Sequence, residues 1–372
     1  MRVVVVGAGL AGVETVKGLR ERGFSGELLL LGDEREPPYD RPPLSKHVLR
    51  SEREPFRLLS DQDDVQLQLG VAALGLDASH RRVHTSGGDV EYDALVVATG
   101  AAARRLPAVG GVVLRTLGDA LTLRAGLVEG ARLVIVGAGL VGCEVAASAR
   151  TLGCEVALVD VESVPMGRVL GAQVGERLAR LHRERGVVLH LGTTAVRSGP
   201  HEVLLQEGTR LPVDVVVEAV GAVPATGWLA DSGVALGDGV LCDARGRTGL
   251  EKVWAVGDVA RWAGVRREHW TSAVEQAAVV AADILGEGAD LDTVPYWWSE
   301  QYDLRLQGLG SVTADDEVTV VRTGKRQREV AVYARAGRVT GVVGFSASAA
   351  VLALRPAVKE RAAVADVLAA LS

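Results

Sequence analysis

Arg2-Val3-Val4-Val5-Val6-Gly7-Ala8-Gly9-Leu10-Ala11-Gly12 decides the fold, because its pattern returns as Arg132-Leu133-Val134-Ile135-Val136-Gly137-Ala138-Gly139-Leu140-Val141-Gly142. The two glycine patterns lie 130 residues apart. Each follows a continuous apolar run, as expected of a parallel strand buried on both faces, and each opens a stretch that can form a helix. Gly7 and Gly137 permit a tight turn, Gly9 and Gly139 let backbone N–H groups reach a pyrophosphate, and Gly12 and Gly142 allow helix to pack closely on strand. Leu10, Ala11, Leu140 and Val141 occupy the intervening positions and are counted with the two loops.

One such loop is a weak signal, since glycines mark ordinary turns, but each copy here is followed by an acid at the end of the next strand. Glu27-Leu28-Leu29-Leu30-Leu31 leads to Asp33, 26 residues beyond Gly7, and Glu155-Val156-Ala157-Leu158-Val159 leads to Asp160, 23 residues beyond Gly137. A carboxylate there accepts both hydroxyls of an adenosine ribose, and at Asp160 it repels the 2′-phosphate of NADPH. The sequence therefore reads as a holder of two dinucleotides, the second of them NADH.

A chain of 372 residues predicts roughly two to three domains of about 150 residues. With 48% hydrophobic and 24% charged residues it has a globular composition, and no apolar run approaches the roughly 20 residues that span a bilayer. The first strand starts at residue 2, which leaves no room for a signal peptide and predicts a cytoplasmic protein without a membrane partner. A net charge of −6 argues against a general nucleic-acid binder. Cys143, Cys154 and Cys242 form no CxxC pair, so no metal knuckle or local redox disulfide is indicated, and Cys143 and Cys154 read as small buried hydrophobes.

After the first β-α-β unit comes a proline-rich loop, residues 37–46, and then Tyr92-Asp93-Ala94-Leu95-Val96-Val97-Ala98-Thr99-Gly100, a buried strand ending in a small-residue turn. The second unit ends on another strand and glycine turn, Val213 to Gly221. Val253-Trp254-Ala255-Val256-Gly257-Asp258 then reads as a strand that rejoins the first unit, followed by a helix from near Thr271. The expected architecture is α/β: two Rossmann-like dinucleotide-binding domains and a small α+β C-terminal domain. Residues 1–110 and 236–290 form the first domain, 111–235 the inserted second, and 291–372 the third.

Four further pieces carry a resemblance: Arg41-Pro42-Pro43-Leu44-Ser45-Lys46, Gly257-Asp258-Val259-Ala260, Glu268-His269-Trp270-Thr271-Ser272-Ala273-Val274-Glu275-Gln276 and Pro295-Tyr296-Trp297-Trp298-Ser299-Glu300-Gln301-Tyr302. With the glycine loops they make nearly the whole chain similar to the FAD-dependent, NADH-using ferredoxin reductases of bacterial oxygenase systems, which are putidaredoxin reductase-like relatives of glutathione reductase and apoptosis-inducing factor.

That resemblance implies non-covalent FAD on the first loop and Asp33, with Arg41, Lys46, Ala73, Thr99, Gly100, Arg115, Gly257 and Asp258 as further contacts and Trp270 near the isoalloxazine. A helix starting beside Trp270 would aim its positive end at a reduced flavin. Gly137, Gly139, Gly142, Asp160, Arg168 and Gly221 are implied for NADH. Lys46 resembles a lysine placed near flavin N5 and paired with a glutamate two residues beyond the second motif, Glu144; the alternative is an ordinary surface pair worth about 0–1 kcal/mol. Disulfide reductases of the superfamily carry a CxxxxC pair where this chain has residues 41–48, without cysteine. The implied electrons pass from NADH to FAD and then singly to a small ferredoxin, two-iron two-sulfur or similar.

Trp298 resembles an aromatic that covers the flavin, with Trp297 packed beside it, and core packing is the alternative for both. Arg322, Lys325, Arg326 and Arg328 read as a solvated basic turn, with a steering rim for an acidic ferredoxin as the other reading. The chain departs from the family in its short C-terminal domain, and also at Gly344-Phe345-Ser346-Ala347-Ser348, which lacks the asparagine usual at the corresponding turn. Rubredoxin reductase shares every motif, an NADH-sensing interaction protein like apoptosis-inducing factor is a rival from another class, and a homodimer is left open.

Overall fold

The computed structural model describes residues 1–51, 55–60 and 63–371. The chain forms two compact units: Met1–Asp40, Phe56–Ala102 and Ala222–Thr293 make the first, and Arg41–Pro55, Ala103–Gly221 and Val294–Ser372 the second.

In the first unit the all-apolar runs become the middle of a five-stranded parallel sheet, ordered Val253–Ala255, Ala94–Val97, Arg2–Val6, Glu27–Gly32, Gln66–Leu69. Val3, Val4 and Val5 are fully buried, as strands covered on both faces must be. The predicted return of the chain is observed, with Val253 opposite Leu95. Helix Leu10–Glu21 packs on helix Trp270–Ile284 at small residues, where a Cβ on Gly18 would lie 3.2 Å from Ala281. The helix begins at Trp270, one residue ahead of the sequence expectation. Strand order reverses between Arg2–Val6 and Ala94–Val97, so the loops after both strands open at one switch point, the usual place for a ligand in such sheets.

The second unit repeats this plan in the order Val187–Leu191, Glu155–Asp160, Arg132–Val136, Val215–Glu218, Val112–Val113, all parallel. Its reversal lies between Arg132–Val136 and Val215–Glu218, which places the second glycine loop beside the turn at Gly221. Within the same unit, strands Tyr296–Gln301, Leu304–Gly310, Arg338–Phe345, Arg328–Arg335 and Glu317–Thr323 form an antiparallel sheet. Helices Ser348–Ala353, Arg355–Lys359 and Val364–Leu371 follow it, and Val351, Val358 and Val367 join its core. This is the expected α+β element. Among the described residues no helix is long and apolar enough to cross a membrane.

Candidate dinucleotide and redox sites

Gly7 and Gly137 adopt φ of +117° and +109°, and a Cβ on either would collide with the backbone oxygen of the neighbouring strand's turn, Ala98 or Ala219. By contrast, a Cβ on Gly9 or Gly139 would meet nothing within 4 Å. Each of these two glycines is the N-cap of its helix, Leu10–Glu21 or Leu140–Thr151, with no side-chain cap. The first-turn N–H groups therefore face open space, a cradle that suits a pyrophosphate. Both loops fit the dinucleotides that the sequence implied.

The two acids differ. Asp33 is exposed beyond its strand. Asp160 Oδ2 accepts from the Ala138 N–H inside the glycine loop, and its Oδ1 accepts from Glu162 N at 2.8 Å. The second loop is thus tied to its own acid. Arg168, highly exposed at the start of helix Gly167–Glu184, pairs with Glu162 Oε1 at 3.2 Å.

Other implied cofactor residues of the first unit lie on several elements. Thr99 Oγ1 donates to Ala225 O at 2.8 Å, and Gly100 makes its turn at φ +68°. Ala73 begins strand Ala73–Asp77, opposite Thr85. Gly257 N donates to the buried Gln276 amide oxygen at 2.8 Å, fixing the short 3-10 turn that carries Asp258. Trp270 Nε1 donates to Asp40 Oδ1 at 2.9 Å. His269 Nδ1 is buried with no hydrogen-bond partner among the described residues, and burial pulls this ring's pKa down to about 4. A buried, orphaned ring nitrogen next to Trp270 fits a site shaped for a polar group.

In the second unit Pro42 starts the 3-10 segment Pro42–Ser45, and Lys46 stands where this segment breaks into helix His47–Arg50. Ser148 Oγ donates to Ser45 O at 2.7 Å and pins the break against helix Leu140–Thr151. Lys46 Nζ then meets Glu144 Oε2 at 2.7 Å, with both side chains less than a tenth exposed. Lys46 also donates to Pro42 O at 3.1 Å, and Ser45 Oγ donates to Glu144 Oε2 at 2.5 Å. The surface-pair alternative is excluded by this burial. Arg41 Nη1 donates to Arg115 O at 2.6 Å, and Arg115 N donates at 3.0 Å to Asp119 Oδ2, which also forms a capping box with Thr116 on helix Leu117–Gly126.

Strand Tyr296–Gln301 alternates strictly, with residues 297, 299 and 301 buried and 296, 298 and 300 partly exposed. This resolves the two tryptophans. Trp297 packs in the core with Leu170, Leu306 and Ala331, whereas Trp298 lies on the other face, stacked near Tyr296 at 6.2 Å between ring centroids. The basic cluster sits on the hairpin between Glu317–Thr323 and Arg328–Arg335, where Arg322, Lys325, Arg326 and Arg328 are exposed and Arg322 pairs with Glu329 at 3.3 Å. Both the solvated turn and the steering rim require this exposure.

Sequence reasoning missed Ser45, Ser299, Gln301 and His182, which converge on Glu144 or one another. Ser299 and Gln301 carried a signal, since polar residues at the inward positions of an otherwise buried strand break the expected pattern. His182 carried none, because its partners Gln301 and Tyr302, about 120 residues away, are invisible in a linear reading. Among the described residues no cluster of His, Cys, Asp and Glu could hold a metal ion. Burial raises the thiol pKa of Cys143, and pushes that of Cys242 up to about 12, so both are inert thiols.

The sequence pattern of the pyridine nucleotide-disulphide oxidoreductases matches residues 1–277, and that of the reductase C-terminal domain matches residues 296–370. The chain belongs to this family. FAD and NAD(H) are the cofactors of these reductases. The chain is 37% identical over 345 residues to rhodocoxin reductase of Rhodococcus erythropolis, covering 87% of this chain and 81% of that protein. It is also 37% identical over 342 residues to the ferredoxin–NAD(+) reductase component of the biphenyl dioxygenase system of Paraburkholderia xenovorans (strain LB400), covering 86% and 83%. The covalent putidaredoxin reductase–putidaredoxin complex matches with a TM-score of 0.92 at 30% identity, covering 100% of this chain and 98% of that one.

Proposed function

We propose that this reductase oxidises NADH and delivers the electrons one at a time to a small two-iron two-sulfur ferredoxin serving an oxygenase, in the cytoplasm. One observation carries the reading: where disulfide reductases of the family place their redox thiols, this chain places the buried Lys46–Glu144 ion pair. With no thiol to take electrons, the acceptor must be another molecule. The relatives named for dioxygenase and rhodocoxin systems support a ferredoxin in that role.

Bound FAD supplies the chemistry that converts a hydride into two single electrons. The chain supplies position and field. In this reading residues 1–110 and 236–290 hold FAD through Gly7, Gly9, Gly12, Asp33, Thr99 and Asp258, residues 111–235 hold NADH through Gly137, Gly139, Gly142, Asp160 and Gly221, and residues 291–372 form the interface domain. Lys46 holds a positive charge where electron density grows on hydride arrival, Glu144 keeps that ammonium oriented, and Trp298 shields the reacting atoms from water.

Anaerobic stopped-flow mixing of the flavin-loaded protein with NADH, then with two-iron ferredoxins and a rubredoxin, tests the proposal. Fast bleaching followed by rapid passage of electrons to a ferredoxin is expected. Fast bleaching followed by a persistent long-wavelength charge-transfer band, with no acceptor turnover, would overturn it in favour of an NADH sensor.

A further inference from the structure

Behind the Lys46–Glu144 pair lies a line of buried polar side chains, all within the second unit. Glu144 Oε1 is 2.7 Å from Ser299 Oγ, Ser299 Oγ is 3.3 Å from Gln301 Nε2, Gln301 Oε1 is 3.2 Å from His182 Nε2, and His182 Nδ1 is 3.0 Å from Tyr302 OH. Ser299, Gln301 and His182 have no exposed surface at all. Three polar side chains at such positions are costly unless each is satisfied, and here each is.

Donor chemistry fixes the direction of the whole line. The Glu144 carboxylate, facing an ammonium, only accepts, so Ser299 must spend its single hydroxyl proton on Oε1. Ser299 Oγ then offers lone pairs alone, which only the Gln301 NH2 group can use. Gln301 therefore turns its carbonyl oxygen to His182, and that oxygen demands a proton on Nε2. Since burial keeps the ring neutral, with its pKa lowered to about 4, Nδ1 is bare and accepts from the Tyr302 hydroxyl. Every proton points toward Glu144. Reversing any one member breaks the two bonds on either side of it.

We propose that Ser299, Gln301 and His182 are positioning residues for the Lys46–Glu144 pair, a one-way chain of donors that occupies Glu144 Oε1 and so leaves Oε2 to Lys46 and Ser45. The proposal rests on the reading that Lys46 serves flavin reduction. Aligned donors strengthen one another, and the final bond goes to a charged acceptor, so the carboxylate is held in one rotamer. Strand Tyr296–Gln301 presents Trp298 on one face and Ser299 and Gln301 on the other, so it supports the redox groups from both faces. His182 comes from helix Gly167–Glu184, bent at Gly171 with φ +73°. The chain of donors thus locks the nucleotide-binding fold to the C-terminal sheet.

The first test needs no turnover. Nitrogen-15 NMR of the histidine rings at pH 7, with His182 assigned by the signal lost in His182→Asn, is expected to show a protonated Nε2 and a bare Nδ1. A protonated Nδ1 would overturn the proposal. In Gln301→Leu, where Nε2 loses its acceptor, the tautomer is expected to invert so that Nδ1–H donates to Tyr302; an unchanged tautomer would count against the chain.

The second test is kinetic. Ser299→Ala removes the donor to Glu144 and is expected to slow flavin reduction about tenfold with the Kd for NADH unchanged, while Ser299→Thr, which keeps the hydroxyl, recovers most of the rate. Equal rates in Ser299→Ala and wild type would overturn the positioning role. If wild-type flavin is not reduced by NADH at all, the proposed function fails, whereas the tautomer measurement still decides the direction of the chain.

Discussion

Glu14 and Glu144 stand at the same place in two copies of one motif, each two residues beyond the last glycine of its loop, yet they live in different surroundings. Glu14 is partly exposed and pairs with Lys17 of its own helix at 3.9 Å, one turn away. Glu144 is buried and meets Ser45, Lys46 and Ser299 from two other segments of the second unit. The same loop geometry is used twice, with φ of +117° at Gly7 and +109° at Gly137, and the two copies differ in what surrounds the glutamate that follows. The same split appears in the acids, with Asp33 exposed and Asp160 tied to the loop through Ala138.

The largest expected contrast is in stability. Glu144→Ala leaves a buried ammonium unpaired and is expected to cost about 3–5 kcal/mol in urea unfolding, whereas Glu14→Ala is expected to change stability by no more than about 0.5 kcal/mol. Equal effects would remove the distinction between the two copies. Next comes Lys46→Met, which keeps most of the side-chain volume and removes the charge. It is expected to slow flavin reduction by about a hundredfold, ~2.7 kcal/mol, without changing NADPH discrimination, as read in single-turnover stopped flow.

Asp160→Ala is expected to erase about a tenfold preference for NADH over NADPH in kcat/KM, ~1.4 kcal/mol. Asp33→Ala should instead weaken retention of FAD and leave nucleotide choice alone; a shift in nucleotide preference there would mean that the two loops have been assigned the wrong ligands. The smallest effect belongs to Glu14, whose pKa is raised chiefly by burial. An ionised carboxylate at a raised pKa opposes folding, so Glu14→Gln is expected to be slightly more stable than wild type at pH 7, with the difference vanishing as pH falls through that pKa.

His182 gives a pH signature of the opposite kind. Its pKa lies at about 4, below the ordinary 6.5, because burial disfavours the imidazolium. The unfolded chain therefore binds a proton that the native ring refuses, and stability drops as pH falls from about 6.5 toward 4. Above 6.5 the ring is neutral in both states and contributes nothing to the slope. The groups around it are Gln301 and Tyr302, with the Arg185 guanidinium 4.9 Å from the Tyr302 ring centroid. A Tm that stays flat across that window would contradict the neutral buried ring.

Both parallel sheets were legible in the sequence, because runs such as Val3 to Val6 and Leu133 to Val136 admit little else, and the glycines fix where each strand turns. Strand Val253–Ala255 was also legible as a return to the first sheet. The ion pair was legible only through family resemblance, since a lysine and a glutamate 98 residues apart have no local signature. Trp297 and Trp298 could not be told apart before the register of their strand was known. The donor chain behind Glu144 was the least visible part, since it joins a helix and a strand about 120 residues apart through side chains that each look unremarkable alone.

In this reading electrons leave the flavin without a thiol. This is tested most directly by counting electrons anaerobically in wild type and in a Cys143→Ala, Cys154→Ala, Cys242→Ala variant shown by circular dichroism to be folded. Each NADH consumed is expected to reduce two equivalents of a two-iron ferredoxin, at similar rates in both proteins. A folded variant that bleaches with NADH but no longer reduces ferredoxin would contradict it.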